Sequence, residues 1–206
     1  MTYSKTHERS SLRGEPLRQQ VMDAAERLLR EGKADFSMRD LAAEAGVSFA
    51  TPFNQFGSKA AIMHALSRRR IDTMAKRFAG AAPLGNANDR VLLAVDTAVE
   101  VMLEEPAVNR AVMGWLGTAG PKPGEVLAHS STLWALALGD GEGLLKPLRV
   151  EALRCLPEQL AFAFRGVLSF WTAGELPDEA LSSSARNVAA SLLFGFCQTS
   201  PMPSSR

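Results

Sequence analysis

Between Phe36 and Leu66 the chain sets side chains suited to gripping a polyanion beside side chains suited to reading hydrogen-bonding edges. Ser37, Arg39, Ser48 and Lys59 supply hydroxyls and cations of the kind that meet phosphate oxygens, which position a protein on a duplex without reading it. Phe49, Ala50, Thr51 and Asn54 fall on one side of a short helical segment. An amide there can pair with adenine, and methyl or ring carbons can meet a thymine methyl. Gln55 is an additional reader, and Lys5, Arg9 and Arg13 form a flexible basic arm able to cross a minor groove. Other chemistries find no constellation. His7, His64 and His129 stand apart, without H-E-x-x-H or H-x-H spacing, and neither G-x-S-x-G nor a P-loop occurs. Cys155 and Cys197 share no C-x-x-C spacing and read as two buried thiols. The spaced glycines of residues 139–143 follow no strand and read as a flexible turn between helices. The expectation is a protein that is not an enzyme and takes no metal or cofactor.

These side chains need helices to carry them. Strand signals are nearly absent, and apolar residues recur at helical spacing almost throughout, which predicts an all-α chain of about nine helices. Leu17, Val21, Ala24, Ala25, Leu28 and Leu29 make the first stripe, with Pro16 at a first-turn position and Gly32 as the stop. Ser37 with Asp40 three residues on is a capping-box pattern, and Gly46 ends that second helix. Ser48 is expected to cap a short third helix, in which Phe53 and Phe56 are more naturally core than contact. Ser58 caps a fourth helix running to about Phe78. Two short helices joined by a tight Gly46-Val47-Ser48 turn make a helix-turn-helix, whose second helix enters the major groove.

The turn-rich stretch 80–88 marks a boundary. The expected organisation is a basic arm over 1–14, the helix-turn-helix domain with its connecting helix over 15–80, a helical sensing and dimerisation domain over 81–198, and a frayed tail over 199–206. Pro106 and the Gly-Pro-Lys-Pro-Gly turn at 120–124 punctuate the second domain. Pro157 and Pro177 read as the starts of its last two helices, at 157–173 and 177–197. Charge follows the same division. Residues 1–80 carry 14 Lys and Arg against 9 Asp and Glu, whereas residues 81–206 carry 9 against 13, so only the first part invites a polyanion. A hydrophobic share of 46% with 22% charged residues excludes a disordered or fibrous chain. The polar N-terminus has no apolar signal region, and no apolar run reaches membrane-spanning length, so a cytoplasmic protein with no membrane partner is expected.

The pattern Leu41-Ala42-x-x-Ala45-Gly46-Val47-Ser48, followed by Phe53, Phe56 and Ser58-Lys59, resembles the TetR family of transcriptional regulators. The stretch from Ser37 to Leu66 fits that pattern without a gap. It departs from the pattern at Phe53, where a tyrosine is usual, at Gln55 and Gly57, and at Pro52, a residue that could disturb the recognition helix. The resemblance implies DNA contacts at Ser37, Arg39, Ser48, Phe49, Ala50, Thr51, Phe53, Asn54, Gln55 and Lys59. It also implies a ligand pocket inside the C-terminal bundle. Candidates to line it are Met102, Asn109, Arg110, Met113, Trp115, His129, Ser130, Trp134 and Phe164.

The reading is a homodimeric repressor on double-stranded DNA with a near-palindromic operator, released by a small apolar effector. The helix starting at Ser58-Lys59 would serve as the link between the two domains. The dimer would form through the last two helices. In the first of them Phe162 and Phe170 lie off the main apolar face, and in the second Ser184, Ser191 and Gly195 keep one face small. The alternative is a helical enzyme or small-molecule carrier that uses the C-terminal pocket and keeps a vestigial helix-turn-helix; the absence of acid–base pairs, metal ligands and cofactor motifs argues against it.

Overall fold

The computed structural model describes residues 5–118 and 124–197. Among these the chain forms nine α-helices and one 3₁₀ turn at Lys146–Leu148. Extended pairing is limited to a single bridge between Leu144 and Cys197. The turn expected at 120–124 lies outside the described residues except for Gly124, and so do the tail at 199–206 and the first four residues of the expected arm.

The chain divides into two compact units. The first takes residues up to Ser67 and then residues 105–123; the second takes 68–104 and everything from Gly124 onward.

In the first unit, α1 (Lys5–Arg30), α2 (Met38–Glu44), α3 (Ala50–Phe56), the start of α4 (Lys59–Gly80) and α6 (Pro106–Trp115) surround one core. Val21, Ala25, Leu28, Leu41, Ile62 and Leu66 fill it, and Val108 and Val112 of α6 join them. Helical backbone begins at Lys5, within the stretch read from sequence as an arm, so Pro16 lies inside α1 and not in its first turn. A proline removes one ladder hydrogen bond, which a long helix with a buried face can sustain.

The second unit holds the rest of α4 with α5 (Ala87–Glu104), α7 (Glu125–Leu138), α8 (Arg149–Thr172) and α9 (Asp178–Phe194). α8 packs on α7 and α9, and α5 packs on both of those as well, so the four helices close on one another around Trp134, Leu156, Leu160, Trp171, Leu181 and Val91. Here too a proline misleads. α8 begins at Arg149 and carries Pro157 in its interior, because Ala152 and Leu156 extend its buried face ahead of the proline. The trailing glycine turn is pinned rather than loose. Arg90 donates to the carbonyls of Ala137 (3.0 Å), Leu138 (2.7 Å) and Gly85 (2.7 Å), and the Ala87 amide donates to Glu142 (2.7 Å). Gly143, at φ +83°, is required there, since an added Cβ would sit 2.7 Å from Cβ of Asn86.

Candidate nucleic-acid interface

The helix-turn-helix is built by short-range chemistry. Ser37 and Asp40 form a reciprocal capping box: the Asp40 amide donates to the Ser37 hydroxyl (3.2 Å), and the Ser37 amide donates to the Asp40 carboxylate (2.8 Å). The backbone amide and then the hydroxyl of Ser37 hold the Asp40 carboxyl below its ordinary pKa. α2 buries Leu41 and Ala42. The chain then reverses at Gly46, whose φ of +65° is strained for any residue with a Cβ. The Val47 amide closes the reversal onto the Ala42 carbonyl at 3.0 Å.

The start of α3 differs from expectation. Phe49 is its N-cap residue, in helical conformation and without a side-chain cap. The Ser48 hydroxyl instead bonds the Thr51 hydroxyl at 2.8 Å, while the Thr51 amide reaches the Ser48 carbonyl at 2.9 Å. Pro52 does not distort the helix, which runs unbroken from Ala50 to Phe56. It sits in the first turn, where a backbone N–H would lack an intrahelical partner anyway. Its ring is buried, and so it turns the opposite side of α3 outward. Ser48, Phe49, Ala50, Phe53 and Asn54 are all exposed, with Thr51 and Gln55 half-buried. Phe53 had been placed in the core by its type; it is exposed together with Phe49 because the buried side is taken by Pro52. Phe56 is half-buried against the core cluster, as its type suggested.

Ser37 and Arg39 are exposed at the start of α2. Lys59 occupies a different setting. Its ammonium donates to the carbonyls of Phe36 (2.7 Å) and Ala34 (2.9 Å) and lies over the rings of Phe36 (4.1 Å) and Trp115 (5.4 Å). Burial pushes its pKa down, against the opposing pull of Asp35 and Asp40. Two of its three N–H donors are thus committed within the chain.

Three α1 residues that sequence reasoning did not single out brace the motif. Arg18 donates to the Gln55 carbonyl and stacks over Phe56 at 4.2 Å. Gln20 donates to the Ala45 carbonyl at 2.7 Å, and Arg27 grips the Glu44 carboxylate at 2.5 Å and its carbonyl at 3.1 Å. Together they tie the C-terminal ends of α2 and α3 to α1. Their signal, polar residues facing away from an apolar stripe, is the same as that of any solvated helix face. The run Arg68-Arg69-Arg70 is half-buried, and Arg68 pairs with Glu125 within the second unit.

The candidate ligand residues divide between the units. Asn109, Arg110, Met113 and Trp115 belong to the first, where Asn109 is fully buried and Trp115 packs on the core cluster. Met102, His129, Ser130, Trp134 and Phe164 belong to the second. There Trp134 and Phe164 meet edge-to-face with centroids 5.4 Å apart, and the imidazole Nε2 of His129 lies 2.8 Å from the Asp72 carboxylate. The Trp134 indole N–H is buried without a hydrogen-bond partner. Among the described residues no group of three or more His, Cys, Asp or Glu could hold a metal ion, and no helix is long and apolar enough to cross a membrane.

Residues 21–66 match the family model described as bacterial regulatory proteins, tetR family. No curated protein sequence matches the chain. Solved structures that share its fold include two transcriptional regulators. A TetR transcriptional regulator from Rhodococcus sp. RHA1 is 24% identical, with a TM-score of 0.70 over 87% of this chain and 97% of that one. FadR of Thermus thermophilus, a TetR-family repressor crystallised with lauroyl-CoA, is 20% identical, with a TM-score of 0.67 over 91% of this chain and 100% of that one.

Proposed function

We propose that this chain, whose residues 21–66 match the tetR-family model, is a homodimeric repressor of that family whose operator is released when a small, largely apolar effector enters the second unit. DNA binding is the activity of the first unit. The observation that carries the reading is the outward face of α3: Ser48, Phe49, Ala50, Phe53 and Asn54 exposed together on a helix fixed by a capped α2, a Gly46 reversal and three ties to α1. Thr51 and Gln55 flank that face and complete the base-reading set. Ser37, Arg39 and Ser48 border it as phosphate contacts, and Lys59 adds the one donor it has left.

Dimerisation follows from α8 and α9. Both have a buried face inside the unit, yet Phe162, Phe170, Val188 and Phe194 remain exposed on their other sides, with Ser191 and Gly195 exposed among them. A helix apolar on two sides needs two partners, and a second copy related by a two-fold axis supplies the missing one. Two-fold symmetry would set the two copies of α3 about 34 Å apart, one DNA turn, on a near-palindromic operator.

The effector site is assigned to Met102, His129, Ser130, Trp134 and Phe164 of the second unit. The unpartnered Trp134 N–H supports this, since a buried donor without an acceptor is unfavourable until a ligand oxygen reaches it. FadR of Thermus binds an acyl thioester, so acyl-CoA and aromatic compounds are the first classes to test. The test is a gel shift on DNA flanking the protein's own gene, repeated across ionic strength and then with candidate effectors. A dimer touching roughly 6–10 phosphates loses about 10³–10⁵ in affinity between 50 and 200 mM salt. Binding that ignores salt and sequence would overturn the reading. An effector with equal affinity for free and operator-bound protein would overturn its release mechanism.

A further inference from the structure

The α3 face is unusual for a base reader in what it lacks. Residues Ala50–Phe56 carry no charged side chain. The two hydroxyls nearest the turn, of Ser48 and Thr51, bond each other at 2.8 Å. Asn54 is the one exposed amide of the helix. What stands out into solvent is a pair of phenyl rings, Phe49 at 54% exposure and Phe53 at 42%. Single exposed aromatics are ordinary on protein surfaces. Two that pack on each other at the tip of a recognition helix are a shaped apolar surface.

That surface is held in place before any partner arrives. The ring centroids are 5.5 Å apart with planes at 66°, an edge-to-face arrangement. The Arg39 guanidinium lies 5.7 Å from the Phe49 centroid, so a phosphate-binding cation steadies one ring. In the major groove the apolar feature of matching size is the C5-methyl of a pyrimidine. Neighbouring bases rise by about 3.4 Å along each strand. With the helical twist added, methyls on adjacent pairs are spaced comparably to the two rings.

We propose that Phe49 and Phe53 form a reader of pyrimidine 5-methyl groups, so that thymine at neighbouring base pairs of each half-site is a determinant of operator choice. The proposal rests on the DNA-binding reading above and narrows it to a chemistry. 5-Methylcytosine carries the same methyl and is predicted to substitute for thymine better than cytosine does. Arg39 at the rim and Asn54 beside the rings then supply position and a polar contact, while the rings supply discrimination.

The test uses the full chain and a duplex selected from random sequence, in which each thymine is replaced singly by uracil. This substitution removes one methyl and leaves every base-pairing and groove hydrogen bond intact, and it cannot perturb the protein. At the read positions the transfer free energy of one apolar carbon corresponds to a loss of roughly fourfold in affinity, and about fifteenfold when both symmetry mates are changed. In Phe53→Ala and Phe49→Ala, whose side chains are exposed, the thymine-to-uracil ratio should fall toward one. A ratio below about 1.5-fold at every position would overturn the methyl reader while leaving DNA binding in place. A ratio that persists in the double variant would overturn it as well, by assigning the methyl to another side chain. Failure to select any duplex would overturn the DNA-binding reading, and this inference with it.

Discussion

Replacing Lys59 by Met keeps the apolar stem and removes the ammonium that ties the start of α4 to the loop before α2. Two donations disappear, to the partly buried carbonyl of Phe36 and the exposed carbonyl of Ala34. A hydrogen bond from a charged donor contributes about 1.5–3 kcal/mol, and the solvated one far less. Because the burial that pushes the Lys59 pKa down outweighs the attractions on its ammonium, the loss on substitution comes from the carbonyls left without their donor. The net loss is then about 2 kcal/mol, which in a chain of this size lowers Tm by about 4–8 °C. The assay is thermal unfolding followed by circular dichroism, repeated across alkaline pH. Because the folded pKa is depressed, the folded state sheds the proton first. Native stability should therefore rise slightly as pH climbs from the folded pKa toward the ordinary lysine value, and Lys59→Met should lack that rise. A Tm within about 1 °C of the native protein would refute the tether.

Four further outcomes are expected. Arg39→Gln should leave Tm unchanged and flatten the slope of log affinity against log salt by about one unit per phosphate contact, measured by fluorescence anisotropy on operator DNA. Gly46→Ala should cost about 1–2 kcal/mol through its positive φ alone, since no atom lies within 4 Å of the added Cβ; denaturant melts check this. Asp40, its pKa lowered by the Ser37 amide and hydroxyl, contributes stability above its unfolded value of 3.8 that is lost as pH falls through the folded pKa. The chemical shift of the Ser37 amide should therefore titrate below 3.8, and one that titrates at or above 3.8 would count against the box. Phe170→Glu should yield a folded monomer in sedimentation if the proposed α8–α9 dimer forms, because a carboxylate at its two-fold contact would be desolvated against its own copy.

The parts of the motif legible in the sequence are those fixed by neighbours a few residues apart. The Ser37–Asp40 box and the Gly46 reversal depend on local spacing, so residue type and position determine them. What the sequence concealed depends on distance or on competition. Arg18, Gln20 and Arg27 act on carbonyls of α2 and α3 that only the packed fold brings near. Ser48 has the right type for a cap, but its hydroxyl finds Thr51 instead. Proline was read as a start signal at Pro16 and Pro157, yet both lie inside helices, because one lost hydrogen bond weighs less than the buried faces around it. Phe53 has a core residue's type and a surface residue's place; nothing in its own neighbourhood of sequence announces that Pro52 takes the inward position.

The membership of α6 changes how an effector could act on DNA. The sequence makes the helix beginning at Ser58-Lys59 the sole link between sensing and reading. In the structure Val108 and Val112 of α6 are part of the same core as Leu41 and Ile62, so α6 is a piece of the first unit inserted between segments of the second. The backbone therefore passes between units three times: within α4 at Ser67–Arg68, at Glu104–Glu105, and after α6 before Gly124. Two ion pairs inside the second unit, Arg68 with Glu125 and Arg77 with Glu104, stand beside these three passages. Under the proposed mechanism, an effector that shifts α5 or α7 would have covalent routes into the first unit besides α4. Coupling of about 1–3 kcal/mol, ordinary for such regulators, does not then require one rigid lever. Lys59 over Trp115 joins the start of α4 to the end of α6 within the first unit itself.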